Sequence, residues 1–235
     1  MNERTSAKHR MMAFGVGLFL ALSTPVVPAM AAEAILHIPP VFQERPSWNW
    51  AAVGEMVFKY YYVPAVHRTD YQCGIVQERK LCMGTPNCSE CDLPVGDEVA
   101  MVRMLEQYPV KAKTGGTAGD IELTVQSKAG SLSELEVKKE IDEGRPIIAE
   151  VSPSGFKIDG ISQHMALIVG YNDSSGALML TVNDPFPFED DRFLWIANPY
   201  QPNMDMSGEN TGQYEIGFER FRSKIKWKQT MYRIT

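Results

Sequence analysis

Three polar residues in this chain of 235 residues have types and an order that could do chemistry together. Gln43 precedes a tryptophan-rich segment, His164 opens an apolar run, and Asp184 follows another apolar run. A glutamine amide can stabilise an oxyanion, a histidine can move a proton, and a carboxylate can orient that histidine. This set is typical of nucleophilic catalysis by a thiolate whose pKa is lowered at a helix N-terminus.

The N-terminal segment predicts export. Residues 1–10 carry three basic side chains, an apolar run follows over residues 11–23, and a small-residue motif ends at Ala31. These are the features of a cleaved signal peptide, and the apolar run is too short to span a bilayer. We therefore predict that residues 1–31 are removed near Ala31 and that residues 32–235 form one secreted or periplasmic domain without membrane attachment. Retention of the segment as a membrane anchor is the alternative.

The cysteines of the chain all lie in one short segment, at Cys73, Cys82, Cys88 and Cys91. In an oxidising compartment such a cluster favours two disulfides, and the sequence leaves all three pairings open. A zinc site is the alternative, but no histidine lies at ligand spacing. The sequence thus predicts a disulfide-stabilised loop, with no metal and no other cofactor.

The charge of the chain excludes two classes of partner. Lys and Arg number 23 against 29 Asp and Glu, a formal charge of -6. Loss of residues 1–31 removes three basic side chains and one acidic side chain, which makes the mature domain more acidic still. Nucleic acids and anionic membranes are bound through clusters of Lys and Arg, so neither is expected as a partner.

Hydrophobic periodicity predicts the elements that would position these residues. Helices are expected over residues 48–63, 70–77, 97–108 and 133–144, and strands over residues 147–151, 165–170, 177–182 and 227–234. Loops are expected over residues 111–120 and 198–213. A helical first half followed by antiparallel strands predicts an α+β fold in two layers.

The segment VFQERPSWNWAAVGEMVFKYY resembles the papain-like cysteine peptidases of the secreted bacterial and bacteriocin-processing type. In that family a glutamine, five residues and then Cys-Trp-Ala-Ala stand at the head of the central helix. The segments GRPIIAEV, SQHMALIVGYN and VNDP are similar to the family's barrel strand, histidine strand and Asp-Pro strand end. The resemblance covers about residues 38–190 and implies a helical lobe, with the central helix, packed against an antiparallel barrel-like lobe.

The resemblance also implies a role for each residue of the site. Gln43 stands at the oxyanion-hole position, His164 at the general-base position and Asp184 at the orienting position, with Asn183 as a second candidate for orienting. The family's nucleophilic cysteine is replaced by Asn49. A carboxamide nitrogen has its lone pair delocalised into the carbonyl, so a histidine cannot convert it into a nucleophile.

Three hypotheses for function follow from this departure. The leading one is a pseudopeptidase that binds a peptide or protein segment in the ancestral cleft. The second is an active hydrolase or acyl transferase, which requires another nucleophile, such as Ser47, or a chain in which Asn49 is not the native residue. Ser47 is also a candidate helix cap. The third is a disulfide-stabilised structural or interaction module.

Overall fold

The computed structural model describes residues 32–66, 70–79, 88, 91–94, 97–114, 121–152, 164–188, 198–200 and 212–235. Its helices are α1 (Asn49–Tyr60), α2 (Tyr71–Glu78), α3 (Glu98–Thr114), α4 (Glu134–Asp142) and α5 (Phe218–Ser223). Its strands are β1 (Glu33–Ile35), β2 (Gln126–Ala129), β3 (Ile147–Val151), β4 (His164–Asn172), β5 (Met179–Asn183), β6 (Gln213–Gly217) and β7 (Gln229–Tyr232). The predicted signal peptide lies outside the described residues. None of the helices found in the described ranges is long and apolar enough to cross a membrane.

The strands form one antiparallel sheet in the order β2-β7-β3-β4-β5-β6, and β1 also pairs with β4. Over the described residues the sheet is open, with β2 and β6 at its edges. The helices α1, α2 and α3 precede every strand except β1, whereas α4 and α5 are inserted between later strands. The predicted α+β arrangement, a helical lobe packed against an antiparallel sheet, is confirmed.

Strand β4 shows how the sheet separates two hydrophobic cores. Eight of its nine residues are buried. Met165, Leu167 and Val169 join the core that contains the side chains of α1, α2 and α3. Ala166 and Ile168 point the other way, into the core that contains α4, α5 and β6. Because side chains alternate along a strand, a continuous apolar run serves both faces of the sheet.

Helix α1 is the central helix of the helical lobe. It is buried without interruption from Asn49 to Phe58, as expected for a helix that is covered on all sides. Gly54 allows a close approach to α3, because a Cβ atom there would lie 2.9 Å from the methyl carbon of Met104. The helix ends before Tyr62, which adopts a positive φ of 58°. The predicted helix at this place is confirmed, with an end three residues earlier.

Helix α3 is longer than its sequence predicts. The expected end at Tyr108 is wrong, because the helix continues through Pro109 to Thr114. Proline removes one hydrogen bond of a helix interior, and packing on both sides compensates for that loss here. Tyr108 stacks on Phe58 with ring centroids 4.4 Å apart, and Ala112 is fully buried. The first part of the loop expected over residues 111–120 is therefore helical, and the rest lies outside the described residues.

Several short elements were not predicted, namely β1, β2, β6 and α5. Strand β6 starts at Gln213, inside the expected loop over residues 198–213, and Tyr200 at the other end of that loop is buried. The expectation of a surface loop is thus wrong at both ends. Strands of three to five residues with mixed exposure carry too little periodicity to be recognised.

Candidate functional site

His164 and Asp184 meet because β4 and β5 are antiparallel neighbours. His164 begins β4, Asp184 directly follows β5, and Leu167 lies opposite Asn183 in the register of the two strands. The start of β4 therefore lies beside the end of β5. The Nε2 atom of His164 is 2.7 Å from Oδ1 of Asp184. When the Asp184 carboxylate is ionised it only accepts hydrogen bonds, so Nε2 of His164 is the donor; in the neutral imidazole, Nδ1 then carries the lone pair.

Asp184 accepts two further hydrogen bonds inside the protein. The backbone N–H of Phe186 donates to Oδ1 at 2.9 Å, and the hydroxyl of Tyr200 donates to Oδ2 at 2.7 Å. Burial, and then the charge of Asp184, raise the pKa of Tyr200 well above its ordinary value. The Tyr200 hydroxyl therefore remains a donor over the physiological range. Sequence reasoning missed Tyr200, whose only signal is an aromatic residue in a polar segment.

Aromatic side chains surround the His164–Asp184 pair. The ring of Phe186 packs edge-on against His164 at 6.2 Å, and Phe188 lies 4.9 Å from Phe186, centroid to centroid. His164 and Asp184 are 2% and 1% exposed. Hydrogen bonds are electrostatically stronger in such a dry environment than in water, and losing one partner there is costly. The pair is therefore held firmly in one arrangement.

The side chain of Asn183 joins two other parts of the fold. Its Nδ2 donates to the carbonyl oxygen of Ile38 at 2.8 Å, and its Oδ1 accepts from Nε2 of Gln213 at 2.8 Å. Asn183 itself is fully buried. Of the two residues considered for orienting His164, the structure places Asp184 against the imidazole and Asn183 in a bridge between the N-terminal segment and β6.

Gln43 lies next to the turn that carries Asp184, because its backbone N–H donates to the carbonyl oxygen of Pro185 at 2.9 Å. Its side-chain amide is turned into its own loop: Nε2 donates to the carbonyl oxygens of Arg45 at 3.0 Å and Pro46 at 2.6 Å. Both amide hydrogens are thus engaged. To stabilise an oxyanion, Gln43 would have to give up one of these bonds.

The loop around Gln43 is anchored by Gln72 of α2. The Gln72 amide donates to the carbonyl oxygen of Phe42 at 2.9 Å and to Oε2 of Glu55 at 3.1 Å. Its Oε1 accepts from the backbone N–H of Glu44 at 3.0 Å. Gln72 is 1% exposed, so these bonds are shielded from water. One buried amide therefore fixes the backbone on either side of Gln43 and ties it to α1.

Glu44 has an unusual titration behaviour for a residue at the protein surface. Partial burial, a hydrogen bond and charge repulsion with Asp70, and the charge of Glu55 raise the pKa of its carboxyl group to about 7. Asp70 in turn caps α2 by accepting from the backbone N–H of Gln72. Ionisation of Glu44 near neutral pH therefore adds a negative charge beside the anchor of the Gln43 loop.

Asn49 is the first residue of α1 and is 4% exposed. The two tryptophans beside it bind residues 91–93, called here the cysteine segment. Nε1 of Trp48 donates to the carbonyl oxygen of Cys91 at 2.7 Å, and Nε1 of Trp50 donates to that of Leu93 at 3.2 Å. The segment that contains Cys91 and Leu93 is therefore fixed against the head of α1. The predicted nucleophile position indeed lies at a helix N-terminus.

The suggestion that Ser47 caps α1 is wrong. Trp48 occupies the N-cap position, and no side chain there caps the helix. The backbone N–H of Ser47 instead donates to Oδ1 of Asp92 at 2.7 Å. This bond adds a third link between the cysteine segment and the entry to α1.

Cys73 and Cys88 form a disulfide, with their Cα atoms 5.5 Å apart. Cys91 is also disulfide-bonded, and Cys82 lies outside the described residues. Disulfides, rather than zinc ligation, thus account for Cys73, Cys88 and Cys91. Within the ranges that the structure describes, no group of three or more potential ligands could hold a metal ion.

The chain matches the Peptidase_C39 like family over residues 35–207 and belongs to this family. This match confirms the resemblance to papain-like cysteine peptidases at the level of the family. No curated protein matches the chain.

Several solved structures are similar to this chain. A candidate C39-like peptidase from Bacillus anthracis is 12% identical, with 85% of this chain and 96% of that chain covered and a TM-score of 0.46. A double glycine motif protease from an AMS/PCAT transporter, in complex with the leader peptide, is 14% identical, with 85% and 92% covered and a TM-score of 0.41. Digestive procathepsin L 3 of Tenebrio molitor larval midgut is 10% identical, with 88% and 71% covered and a TM-score of 0.49.

Proposed function

We propose that this protein is an exported member of the family that does not hydrolyse peptides but binds a peptide or protein segment in the cleft at the head of α1. One observation carries the proposal: Asn49, which the family resemblance assigns to the nucleophile position, begins α1, while His164 and Asp184 lie paired at 2.7 Å. Helix α1 packs against β4, the strand that His164 begins. The site thus keeps its proton-carrying pair without a group for it to activate.

The residues around Asn49 support the absence of a nucleophile. The carboxamide lone pair is delocalised, so proton removal by His164 yields no useful nucleophile at physiological pH. Ser47 precedes the helix, and its backbone N–H is bonded to the cysteine segment. Cys73 and Cys88 have no thiol while they are joined in a disulfide. Asn49 and the disulfide-bonded Cys73 and Cys88 therefore supply no nucleophile for hydrolysis.

Two features support binding at this place. The N-cap residue Trp48 makes no side-chain cap bond, and the backbone N–H groups of the first turn of a helix attract acceptor oxygens. The carbonyl oxygens of an extended peptide are suitable acceptors for such groups. The acidic charge of the chain makes a nucleic acid an unsuitable occupant.

Export is supported by the cysteine chemistry. The Cys73–Cys88 disulfide is of the kind that persists in oxidising compartments, such as the periplasm or the extracellular medium. The basic and apolar segment over residues 1–31 has the features of a signal peptide. N-terminal sequencing of the protein recovered after export, with a new terminus near Ala32, tests this part of the proposal.

The test of function compares the native chain with Asn49→Cys, Asn49→Ala, His164→Ala and the double variant Asn49→Cys/His164→Ala, all exported and purified with their disulfides intact. Casein and a fluorogenic peptide library report turnover. The best library peptide, labelled with a fluorophore, reports binding to the native chain by anisotropy. We expect no turnover by the native chain or by Asn49→Ala, His164-dependent turnover by Asn49→Cys, and saturable peptide binding by the native chain.

Two results would overturn the proposal. Turnover by the native chain that is lost in His164→Ala would identify an active hydrolase with a different nucleophile. Failure of Asn49→Cys to turn over any peptide, together with an unchanged circular dichroism spectrum and no peptide binding by the native chain, would identify a structural module with a closed cleft.

A further inference from the structure

Tyr200 occupies a fixed position behind the His164–Asp184 pair. It is 5% exposed, and its ring is stacked on Tyr214 with centroids 4.6 Å apart and planes 5° from parallel. Tyr214 lies on β6 directly opposite Val182 of β5, the strand that Asp184 follows. The register of these two strands therefore sets the distance between the Tyr200 ring and Asp184.

The hydrogen bonds of Asp184 are divided between its two oxygen atoms. Oδ1 is shared by Nε2 of His164 and the backbone N–H of Phe186, whereas Oδ2 accepts from the hydroxyl of Tyr200. Rotation of the carboxylate about its Cβ–Cγ bond would break bonds at both oxygens. The Tyr200 hydroxyl thus restricts the plane in which the carboxylate faces the imidazole.

We propose that Tyr200 is a positioning residue for His164 that acts through Asp184: its hydroxyl fixes the carboxylate plane and draws negative charge away from the imidazole. This proposal rests on the assignment of His164 as the proton-carrying group of the proposed binding site. The charge effect follows from hydrogen bonding, because a donor to a carboxylate stabilises its negative charge and weakens its attraction for a neighbouring cation.

Two further titratable side chains lie near Tyr200 in the described residues. Tyr214 lies on the far side of the Tyr200 ring, and Arg220 of α5 donates to the carbonyl oxygen of Pro199 at 3.2 Å. Tyr200 is the side chain that donates to Oδ2 of Asp184, so its replacement changes the charge there.

The test is a titration of the His164 ring by NMR in the native chain, in Tyr200→Phe and in Tyr214→Phe, with His164→Ala used to assign the signal. Tyr200→Phe keeps the stacked ring and removes only the donor to Oδ2. We expect the pH at which His164 is half protonated to rise by about one unit in Tyr200→Phe, since one unit corresponds to the free energy of about one hydrogen bond. Tyr214→Phe, which removes a hydroxyl from the neighbouring ring, should leave it unchanged.

A second variant avoids dependence on the folding of Tyr200→Phe. Site-specific incorporation of 3-fluorotyrosine at position 200 keeps the shape of the ring and makes its hydroxyl a stronger donor. The His164 midpoint should then shift downwards, opposite to the shift in Tyr200→Phe. Unchanged midpoints in both Tyr200 variants, or shifts of the same sign, would overturn the proposal.

The same variants have a readout that needs no bound peptide. In the Asn49→Cys background, alkylation of the introduced thiol by iodoacetamide depends on its thiolate fraction and therefore on protonated His164 nearby. We expect Tyr200→Phe to alter the pH profile of alkylation, not only its maximum rate. The native-chain titration can succeed or fail independently of peptide binding, so the outcome for Tyr200 and the outcome for the proposed function are distinguishable.

Discussion

The indole N–H of Trp48 donates to the main-chain carbonyl oxygen of Cys91 at 2.7 Å, and both groups are buried. Trp48 is the N-cap residue of α1 and directly precedes Asn49. Trp50, on the other side of Asn49, makes the equivalent bond to Leu93 at 3.2 Å. The disulfide-bonded segment thus supports the head of α1 from both sides of Asn49.

Replacement of Trp48 by phenylalanine is therefore expected to destabilise the protein. Trp48→Phe leaves the buried carbonyl oxygen of Cys91 without this donor, which costs about 1–3 kcal/mol of the free energy of unfolding. Trp50→Phe is the matched control, with a smaller loss because its bond is longer. Urea denaturation followed by far-UV circular dichroism measures both. Equal losses in the two variants would contradict a specific role for the Trp48–Cys91 bond.

The Cys73–Cys88 disulfide should contribute to stability in the same experiment. It closes a loop with a sequence separation of 15 residues. The chain-entropy model gives about 3 kcal/mol for a loop of that length. We expect Cys73→Ala/Cys88→Ala to lower the free energy of unfolding by about that amount.

A thiol count provides the control for the disulfides. The native chain should show no free thiol under denaturing, non-reducing conditions, and four thiols after reduction. Four reactive thiols before reduction would contradict the disulfide assignment.

The sequence predicts well those parts of the fold in which local signals agree with packing. Strand β3 over residues 147–151 has the predicted bounds, and α4 begins with the predicted capping box of Ser133 and Glu136. In each case the sequence pattern lies within a single element and depends only on residues close together in the sequence. The meeting of His164 with Asp184 was implied by family resemblance, and the structure explains it through the β4–β5 register.

The remaining parts depend on contacts between residues far apart in sequence. The continuation of α3 past Pro109 rests on packing against α1, which no local pattern contains. Tyr200 reaches Asp184 only because β6 brings Tyr214 beneath its ring. The engagement of both Gln43 amide hydrogens depends on the path of a loop without periodicity. These features are determined by tertiary structure, so sequence motifs do not predict them.

Gln72 provides a test of how firmly the Gln43 loop is held. Gln72→Leu introduces an apolar side chain of similar size and leaves the Phe42 carbonyl oxygen and the Glu44 N–H without their buried partner. We expect a loss of about 2–6 kcal/mol in the free energy of unfolding, since each of the two groups costs about 1–3 kcal/mol. Gln77→Leu, a partly exposed position on the same helix, is the control.

Hydrogen exchange shows where the effect acts. Backbone amides of residues 42–45 should exchange faster in Gln72→Leu, whereas those of β3 should not change unless the whole protein unfolds. An unchanged exchange rate in the loop would show that Gln72 does not anchor it.

The titration of Glu44 predicts how stability depends on pH. Its carboxyl pKa is raised from 4.5 to about 7 by burial and by the neighbouring carboxylates, with Asp70 first among them. The folded state therefore holds a proton that the unfolded chain releases above pH 4.5. The contribution of this bound proton to the free energy of unfolding is fully present below about pH 4.5. It is lost as the pH rises through about 7.

Glu44→Gln removes this loss because its amide stays neutral. The variant and the native chain should have similar stabilities at pH 4, and the variant should be the more stable of the two at pH 8. The native chain should therefore show a steeper decline in urea midpoint between these values. Glu122→Gln, at an exposed position, serves as the control for removing one negative charge. Parallel pH profiles for the native chain and Glu44→Gln would show that Glu44 titrates at its ordinary pKa in the folded protein.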